Sequence, residues 1–183
     1  MITRQAIYQT FRKNLKLPII ANTGTDGGVV LPEGTISPPN WALVDAPAGS
    51  TRSLAVLRAI GGFPIPPYIG DNETSAWISP NNTANSVSPP GFYTFRTQFD
   101  LSARQSARVK TIGYFAVDNE VINVLINSIT TGITGVGFEV FSPPFQILDG
   151  FVAGTNTLDF VVINAGGADS PMGFRAELFL QNK

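Results

Sequence analysis

The side chains that this sequence lacks limit its chemistry more than those it contains. None of its 183 residues is a cysteine or a histidine. Thiol nucleophiles, disulfide bonds, zinc sites built from these ligands and catalytic triads that use imidazole are therefore excluded. No other residue pattern supplies a nucleophile together with the base that would activate it. We expect a protein that is not an enzyme and that binds through carboxylates, amides, hydroxyls and aromatic rings.

Two short runs, at residues 71–73 and 118–120, place carboxylates on either side of an amide. Calcium takes oxygen ligands of this kind, so a structural calcium ion is the one cofactor that the sequence leaves open. Neither run has the spacing of a dedicated calcium loop, and Asp and Asn also favour turns through bonds to nearby backbone. A weak calcium site and ordinary turns both remain as interpretations. The candidate ligands are Asp71, Glu73, Asp118 and Glu120.

Three aromatic residues are candidates for stacking on a sugar ring: Trp41, Tyr68 and Trp77. Such stacking requires several rings to be exposed together beside polar groups. Large aromatic residues also fill the cores of β-sandwiches and line the rims of protein interfaces. The sequence leaves both interpretations open.

Three carboxylates on or beside predicted strands are candidates for the acid–base chemistry that glycosidases use: Asp100, Asp159 and Glu177. The apolar neighbours of Asp100 and Asp159 are instead typical of strand ends and turns, where a carboxylate accepts hydrogen bonds. Arg96 and Arg175 are candidate ion-pair partners for them. We expect these carboxylates to be structural rather than catalytic.

The first 19 residues carry basic and apolar side chains but no acidic one. This segment has no apolar run of the kind that a secretion signal needs, and the chain has none long enough to span a bilayer. A basic arm on a mildly acidic body predicts contact with a negatively charged partner surface. Four charges are too few to predict specific nucleic-acid binding. The predicted partner contacts are Arg4, Ile7, Tyr8, Phe11, Arg12, Lys13 and Lys16.

The remainder of the chain, residues 20–183, has the pattern of many short strands joined by turns. Residues 92–101 alternate between two sets of side chains with period two, as in a strand with one buried face. The 18 glycines and 14 prolines are scattered rather than periodic, which suits frequent turns. Eight or more strands at this spacing, with no helix longer than a few turns, predict one all-β domain built as an antiparallel β-sandwich.

The other strand signals vary in strength. Residues 109–117 and 121–127 predict two strands separated at residues 118–120, and residues 127–128 have the types of a tight turn. Residues 53–60 fit a strand or a helical turn equally well. Further strands are predicted at residues 29–31, 41–44, 76–78, 138–141, 145–148, 158–164 and 173–180.

Several short stretches follow one another along the domain in a recognisable order: NTG (22–24), DGG (26–28), GT (34–35), GFPIPP (62–67), WISP (77–80), GFYTFRTQFDL (91–101), AVDN (116–119), GFVAGTNTLDF (150–160), NAG (164–166) and GFRAE (173–177). Together they resemble a family of bacterial extracellular surface domains with a galactose-binding-like jelly-roll fold. The resemblance covers nearly all of residues 20–183 and implies this fold and a surface-interaction role. The chain departs from the family at residues 1–19, where a basic arm stands in place of a secretion signal.

Three functions fit a surface-type sandwich that has a basic arm and no export signal. The leading hypothesis is a non-enzymatic structural protein of a virus particle, a capsid decoration (cement) protein of a tailed bacteriophage. It would form a trimer, clamp neighbouring subunits of the major capsid protein through its arm, and reside in the virion after assembly in the host cytoplasm. The alternative is a carbohydrate-binding or adhesive module on a cell or virion surface, with glycans as partners. The third is a subunit of a bacterial sheath or filament.

Overall fold

The computed structural model describes residues 20–50, 52–57, 68–70, 72–80 and 87–183. Within these ranges the regular structure consists of β-strands and one helical turn, α1 (Ala103–Ser106), so the predicted all-β class is confirmed. No helix in the described part of the chain is long and apolar enough to cross a membrane. The strands are β1 (Thr25–Asp26), β2 (Val29–Val30), β3 (Ala42–Asp45), β4 (Ala55–Leu57), β5 (Trp77–Ser79), β6 (Val87–Ser88), β7 (Gly91–Leu101), β8 (Val109–Ile126), β9 (Ile129–Thr130), β10 (Gly135–Gly137), β11 (Phe145–Ile147), β12 (Gly154–Asn164), β13 (Ser170–Pro171) and β14 (Gly173–Asn182).

Strand β7 forms where the sequence alternates. Successive side chains of a strand point to opposite faces, so a period of two separates a buried set from an outward set. Tyr93, Phe95 and Thr97 are buried, Thr94 and Arg96 between them are half-buried, and Phe92 and Gln98 on either side are exposed. The alternation therefore fixes which face of β7 meets the core.

The main sheet is antiparallel and has the strand order β3-β7-β12-β8-β14-β5-β4. Strand β8 joins its two halves, because residues 109–118 pair with β14 and residues 120–126 pair with β12. The sheet curls at this strand. As a result β3, β7 and β12 form a first layer, which packs against a second layer of β14, β5 and β4.

Phe174 of β14 lies at the centre of the core between the two layers. Its ring centroid is 4.9 Å from that of Phe160, 5.0 Å from that of Phe95 and 5.4 Å from that of Trp41. Phe174, Phe160 and Phe95 are each fully buried. Apolar surface removed from water stabilises a fold by about 25 cal/mol per Å², and aromatic side chains contribute the largest areas. These rings therefore hold the two layers of the sandwich together.

Strand β8 differs from its prediction, because it is one strand of 18 residues rather than two separated at residues 118–120. Asp118 pairs with Gly173 of β14, and Glu120 pairs with Ile163 of β12. The polar residues thus mark the point where β8 changes partner, not a point where it ends.

Three other local predictions, of a turn, an ambiguous segment and a strand, have different outcomes. Asn127 and Ser128 have positive φ angles of 50° and 68°, and they connect β8 to β9 as the tight turn that was predicted. Of residues 53–60, Ala55–Leu57 form a strand. The strand predicted at residues 138–141 is absent, and that segment instead lies over the second layer.

Some predictions fall outside the described residues. They concern the arm at residues 1–19 with its partner contacts, the proline-rich stretch within residues 61–67, and Asp71. The division of the chain into an arm and a domain at residue 20 therefore stays a prediction.

Candidate functional site

The outer face of the second layer carries charged residues and is nevertheless buried. Arg175 and Glu177 of β14 alternate with core residues and so point away from the core, yet neither exposes any surface. Tyr114 of β8 and Trp77 of β5 lie on the same face and are buried as well. Two segments without regular structure cover these side chains. They are a first covering segment, residues 68–70 and 72–75, and a second covering segment, residues 138–141.

Tyr68 connects the two covering segments. Its ring stacks on that of Phe138, with centroids 4.3 Å apart and planes at 24°, and it meets the Trp77 ring edge-on at 5.5 Å. The Ile69 N–H donates to the Phe138 carbonyl at 2.6 Å, and the Trp77 indole N–H donates to the Ile69 carbonyl at 3.1 Å. Tyr68 and Phe138 are only partly buried, so this aromatic pair reaches the protein surface.

Asp118 lies beside the aromatic pair. The Tyr68 hydroxyl donates a hydrogen bond to Asp118 Oδ2, and Asn119 Nδ2 donates to Asp118 Oδ1 at 2.7 Å. Burial raises the pKa of Asp118, although the Tyr68 bond acts in the opposite direction. Burial, followed by the bond to Asp118 and its charge, raises the pKa of Tyr68 far above its ordinary value. Tyr68 therefore remains a protonated donor at physiological pH.

Glu177 holds the first covering segment against β14. Its Oε1 atom accepts hydrogen bonds from Asn72 Nδ2 at 3.0 Å, from Thr74 Oγ1 at 2.9 Å and from Ser75 Oγ at 2.8 Å. Glu177 is also one cause, after burial, of the raised pKa of Tyr114. A buried carboxylate that accepts several bonds is satisfied without contact with water.

Arg175 holds the same segment at Ser75 and at Gly70. Its Nε atom donates to Ser75 Oγ at 2.8 Å, and Nη1 donates to the Gly70 carbonyl at 2.8 Å. Its guanidinium carbon lies 5.2 Å from the centre of the Phe141 ring, within the range of a cation–π contact. The Ser75 hydroxyl, which accepts from Arg175 and donates to Glu177, links the two charges.

Two of the three aromatic residues predicted to stack on a sugar meet in this site. Tyr68 and Trp77 are in contact, whereas Trp41 lies in the core between the layers. Trp41 is 5% exposed and Trp77 is 0% exposed. A buried ring cannot present its face to a ligand, so the structure corrects the prediction for both tryptophans. For Tyr68 it stays a prediction.

Three of the four candidate calcium ligands, Glu73, Asp118 and Glu120, lie within the described residues, and they are not grouped as a metal site. Asp118 is bonded to Tyr68 and Asn119, and Glu120 pairs with β12 in the first layer. Within the described ranges no three acidic residues lie close enough to hold a metal ion, so Glu73, Asp118 and Glu120 do not form a site by themselves. Asp71 lies outside the described residues, and calcium binding stays a prediction.

The three candidate acid–base carboxylates lie apart. Asp159 accepts two hydrogen bonds of 2.6 Å from Arg96, which is one of the predicted ion pairs. Asp100 accepts a hydrogen bond from the Thr155 hydroxyl at 2.7 Å. In the sheet Asp159 lies opposite Arg96, four residues before Asp100, so the backbone positions of the two aspartates are about 13 Å apart along the strands. Paired glycosidase carboxylates stand closer than this. Glu177 lies on the second layer.

Sequence reasoning missed several residues of the site. The sequence pattern predicts a strand at Phe138, and it marks Asn119 only as part of a turn or a calcium cluster. Arg175 and Glu177 had a usable signal, since two opposite charges at alternate positions of an apolar strand must share one face. That signal shows the shared face, but it does not show that other segments cover it.

Two solved structures are similar to this chain over 82% of its length. One is the structure of CBM35 from Paenibacillus barcinonensis, with a TM-score of 0.41, 13% sequence identity and 100% of its own chain covered. The other is a family 35 carbohydrate binding module from Clostridium thermocellum, with a TM-score of 0.33, 12% identity and 92% covered. No protein-family model and no curated protein matches the sequence. At this similarity the fold class rests on the strand pairing, and any function rests on the geometry of the site.

Proposed function

We propose that this chain is a non-catalytic carbohydrate-binding module whose site is formed by the aromatic pair together with Asp118 and Asn119. The observation that carries the proposal is the hydrogen bond from Tyr68 to Asp118. It joins two stacked, partly exposed rings to a buried carboxylate and a half-buried amide that lie directly beneath them.

A sugar ring has the complementary chemistry. Its C–H groups form an apolar face that packs on an aromatic ring, and its edge carries hydroxyl groups that donate to carboxylate and amide oxygens. An aromatic contact contributes about 0.5–1.5 kcal/mol beyond the area it buries. A hydrogen bond to a charged group contributes about 1.5–3 kcal/mol. One site of this size therefore supports weak binding, with a Kd between about 1 µM and 1 mM.

The test is a glycan array, followed by calorimetric titration of each sugar that binds. Phe138→Ala is expected to weaken binding about tenfold, because it removes one ring of the aromatic pair. The matched control is Phe92→Ala, which removes a ring that is 54% exposed on the first layer, away from the site. Failure to bind any sugar, or equal losses in the two variants, would contradict the proposal.

The same titration repeated in EDTA tests the calcium prediction. If calcium supports the site through Asp71, Glu73, Asp118 or Glu120, chelation weakens binding and added calcium restores it. Unchanged affinity in EDTA would remove calcium from the proposal and leave the aromatic pair as its basis.

A capsid decoration role, with a trimer clamped to the shell by its arm, is the second proposal. Its support is the basic composition of residues 1–19, which lie outside the described residues. Deletion of residues 1–19 is expected to abolish binding to capsid shells while the sandwich stays folded. Undiminished binding of the truncated protein would contradict this role.

A further inference from the structure

We infer that Arg175 and Glu177 are positioning residues for the proposed carbohydrate site. They fix the first covering segment to β14 and thereby hold Tyr68 against Phe138 and Asp118. This inference rests on the proposed function and deepens it, because neither residue is expected to touch the ligand: both are 0% exposed.

The choice of residue types requires an explanation. Burying a carboxylate and a guanidinium carries a large desolvation cost, and apolar side chains of similar volume would cover a sheet face at least as stably. Phe179 and Ile112, farther along the same face, show that the fold uses apolar residues there. Buried charges instead fix positions, because a hydrogen bond is directional and holds one donor against one acceptor.

The bonds from both charges converge on the residues that follow Tyr68. Glu177 bonds to Asn72, Thr74 and Ser75, while Arg175 bonds to Ser75 and to the Gly70 carbonyl. The Gly70 anchor lies two residues from Tyr68, so little backbone remains between a fixed point and the ring.

Asn72 stiffens residues 72–75 of the first covering segment. Its Oδ1 atom accepts from the backbone N–H groups of Thr74 and Ser75 at 2.8 and 2.9 Å. Its Nδ2 atom donates to Glu177. One side chain therefore both closes the turn and ties that turn to the sheet.

The stacking of Tyr68 on Phe138 depends on this placement. Binding groups must be held within about 0.5 Å of their productive geometry by residues that are themselves fixed. If the first covering segment lifts, the ring separation of 4.3 Å and the bond to Asp118 are lost together. Arg175 and Glu177 therefore act on a ligand through Tyr68.

The first test compares sugar affinity among full-length variants. Glu177→Gln keeps the size of the side chain but removes its charge. Arg175→Lys keeps the charge but loses the planar guanidinium, whose separate donors reach Ser75 and Gly70 at once. Each is expected to weaken binding of the sugar found on the array at least tenfold. The matched control is Asp159→Asn, a buried carboxylate bonded to Arg96 in the first layer, which is expected to lower stability but leave affinity unchanged.

The second test does not require a sugar. Trp77 donates to the Ile69 carbonyl and contacts the Tyr68 ring, so its fluorescence reports where the first covering segment lies. In a Trp41→Phe background Trp77 is the only tryptophan, because the sequence contains two. Glu177→Gln is expected to shift the Trp77 emission to longer wavelength and to increase quenching by acrylamide, and Asp159→Asn is not.

The outcomes separate the inference from the function on which it rests. If the native chain binds no sugar but Glu177→Gln shifts the Trp77 emission, the proposed function fails and the positioning role stands. A folded Glu177→Gln chain with unchanged Trp77 emission overturns the inference, whatever its affinity. Loss of affinity without a shift also overturns it, because the loss then does not act through the segment.

Discussion

Tyr68 donates its phenolic hydrogen to Asp118 across 50 residues of sequence, and this bond joins a covering segment to the strand that links the two layers of the sandwich. It places a titratable carboxyl under a half-buried ring. Because burial raises the pKa of that carboxyl, the site responds to pH in a direction that can be worked out.

Asp118→Asn should remove a pH-dependent part of the stability. The pKa of Asp118 is raised from 3.8, so between that value and the folded pKa the folded chain binds more protons than the unfolded chain. Stability from this group is therefore present at low pH and is lost as pH rises through the folded pKa. We expect the difference in unfolding free energy, native minus variant, to fall across this window and to level off above it. Urea denaturation from about pH 3 to about pH 7 measures it.

Tyr68→Phe provides a second pH prediction. It tests the hydrogen bond from Tyr68, which acts on the pKa of Asp118 in the direction opposite to burial. The hydrogen bond from Tyr68 lowers the pKa of Asp118, so its removal should raise that pKa further. The fall in stability with rising pH should then extend to higher pH than in the native chain. NMR titration of the Asp118 side-chain carboxyl resonance in both proteins checks this directly. A lower pKa in Tyr68→Phe would contradict the assignment of the bond.

The core that carries the site should depend strongly on Phe174. Its ring contacts aromatic rings of the first layer and exposes no surface, so Phe174→Ala leaves a cavity and should cost about 3–5 kcal/mol of unfolding free energy. Phe92→Ala, at a ring that is 54% exposed, should cost less than about 0.5 kcal/mol. Urea denaturation of both variants measures the contrast, and similar losses would mean that Phe174 is not central to packing.

Local sequence patterns predicted the strands well where one face is buried. The alternation in residues 92–101 gave β7 and its buried face, because a strand between core and solvent must separate two kinds of side chain. The same reasoning divided β8 wrongly. Turn-forming residue types at Asp118 and Asn119 occur inside a strand there, because β8 exchanges one partner strand for another at that point.

The site was harder to predict than the fold, since its parts are distant in sequence. Asn72 and Glu177 are 105 residues apart, and nothing in either neighbourhood indicates the other. Phe138 lies in a segment without regular structure, where no periodicity marks the face that is used. Tyr68 was identified by its residue type alone, and the same criterion selected two tryptophans that are buried.

The ion pair on the first layer should contribute little to stability despite its good geometry. Arg96 makes two bonds of 2.6 Å to Asp159, but the Arg96 side chain is 33% exposed and water screens the attraction. A double-mutant cycle with Arg96→Met and Asp159→Asn should give a coupling energy of about 1 kcal/mol. The coupling should decrease in about 1 M salt. A coupling above about 3 kcal/mol would show that the pair behaves as a fully buried one.

Two turns, one before and one after β1, provide a matched pair of glycines. Gly24 and Gly27 both have positive φ angles, 63° and 53°, so an alanine at either position should cost about 1 kcal/mol of backbone strain. At Gly27 an added Cβ meets nothing within 4 Å, whereas at Gly24 it would lie 2.8 Å from the Ala76 Cβ. Ala76 cannot move aside easily, because its N–H donates to the Thr23 carbonyl at 2.9 Å and its carbonyl accepts from the Thr23 hydroxyl.

Gly24→Ala should therefore be about 1–3 kcal/mol more destabilising than Gly27→Ala. The excess isolates the close approach of Gly24 to Ala76, since backbone strain is common to both variants. Urea denaturation measures the two losses. Ala76 follows Ser75, whose hydroxyl links Arg175 to Glu177. The clash should therefore also disturb the first covering segment. Equal losses in the two variants would show that the backbone at Ala76 moves freely, and that the first covering segment is not anchored there.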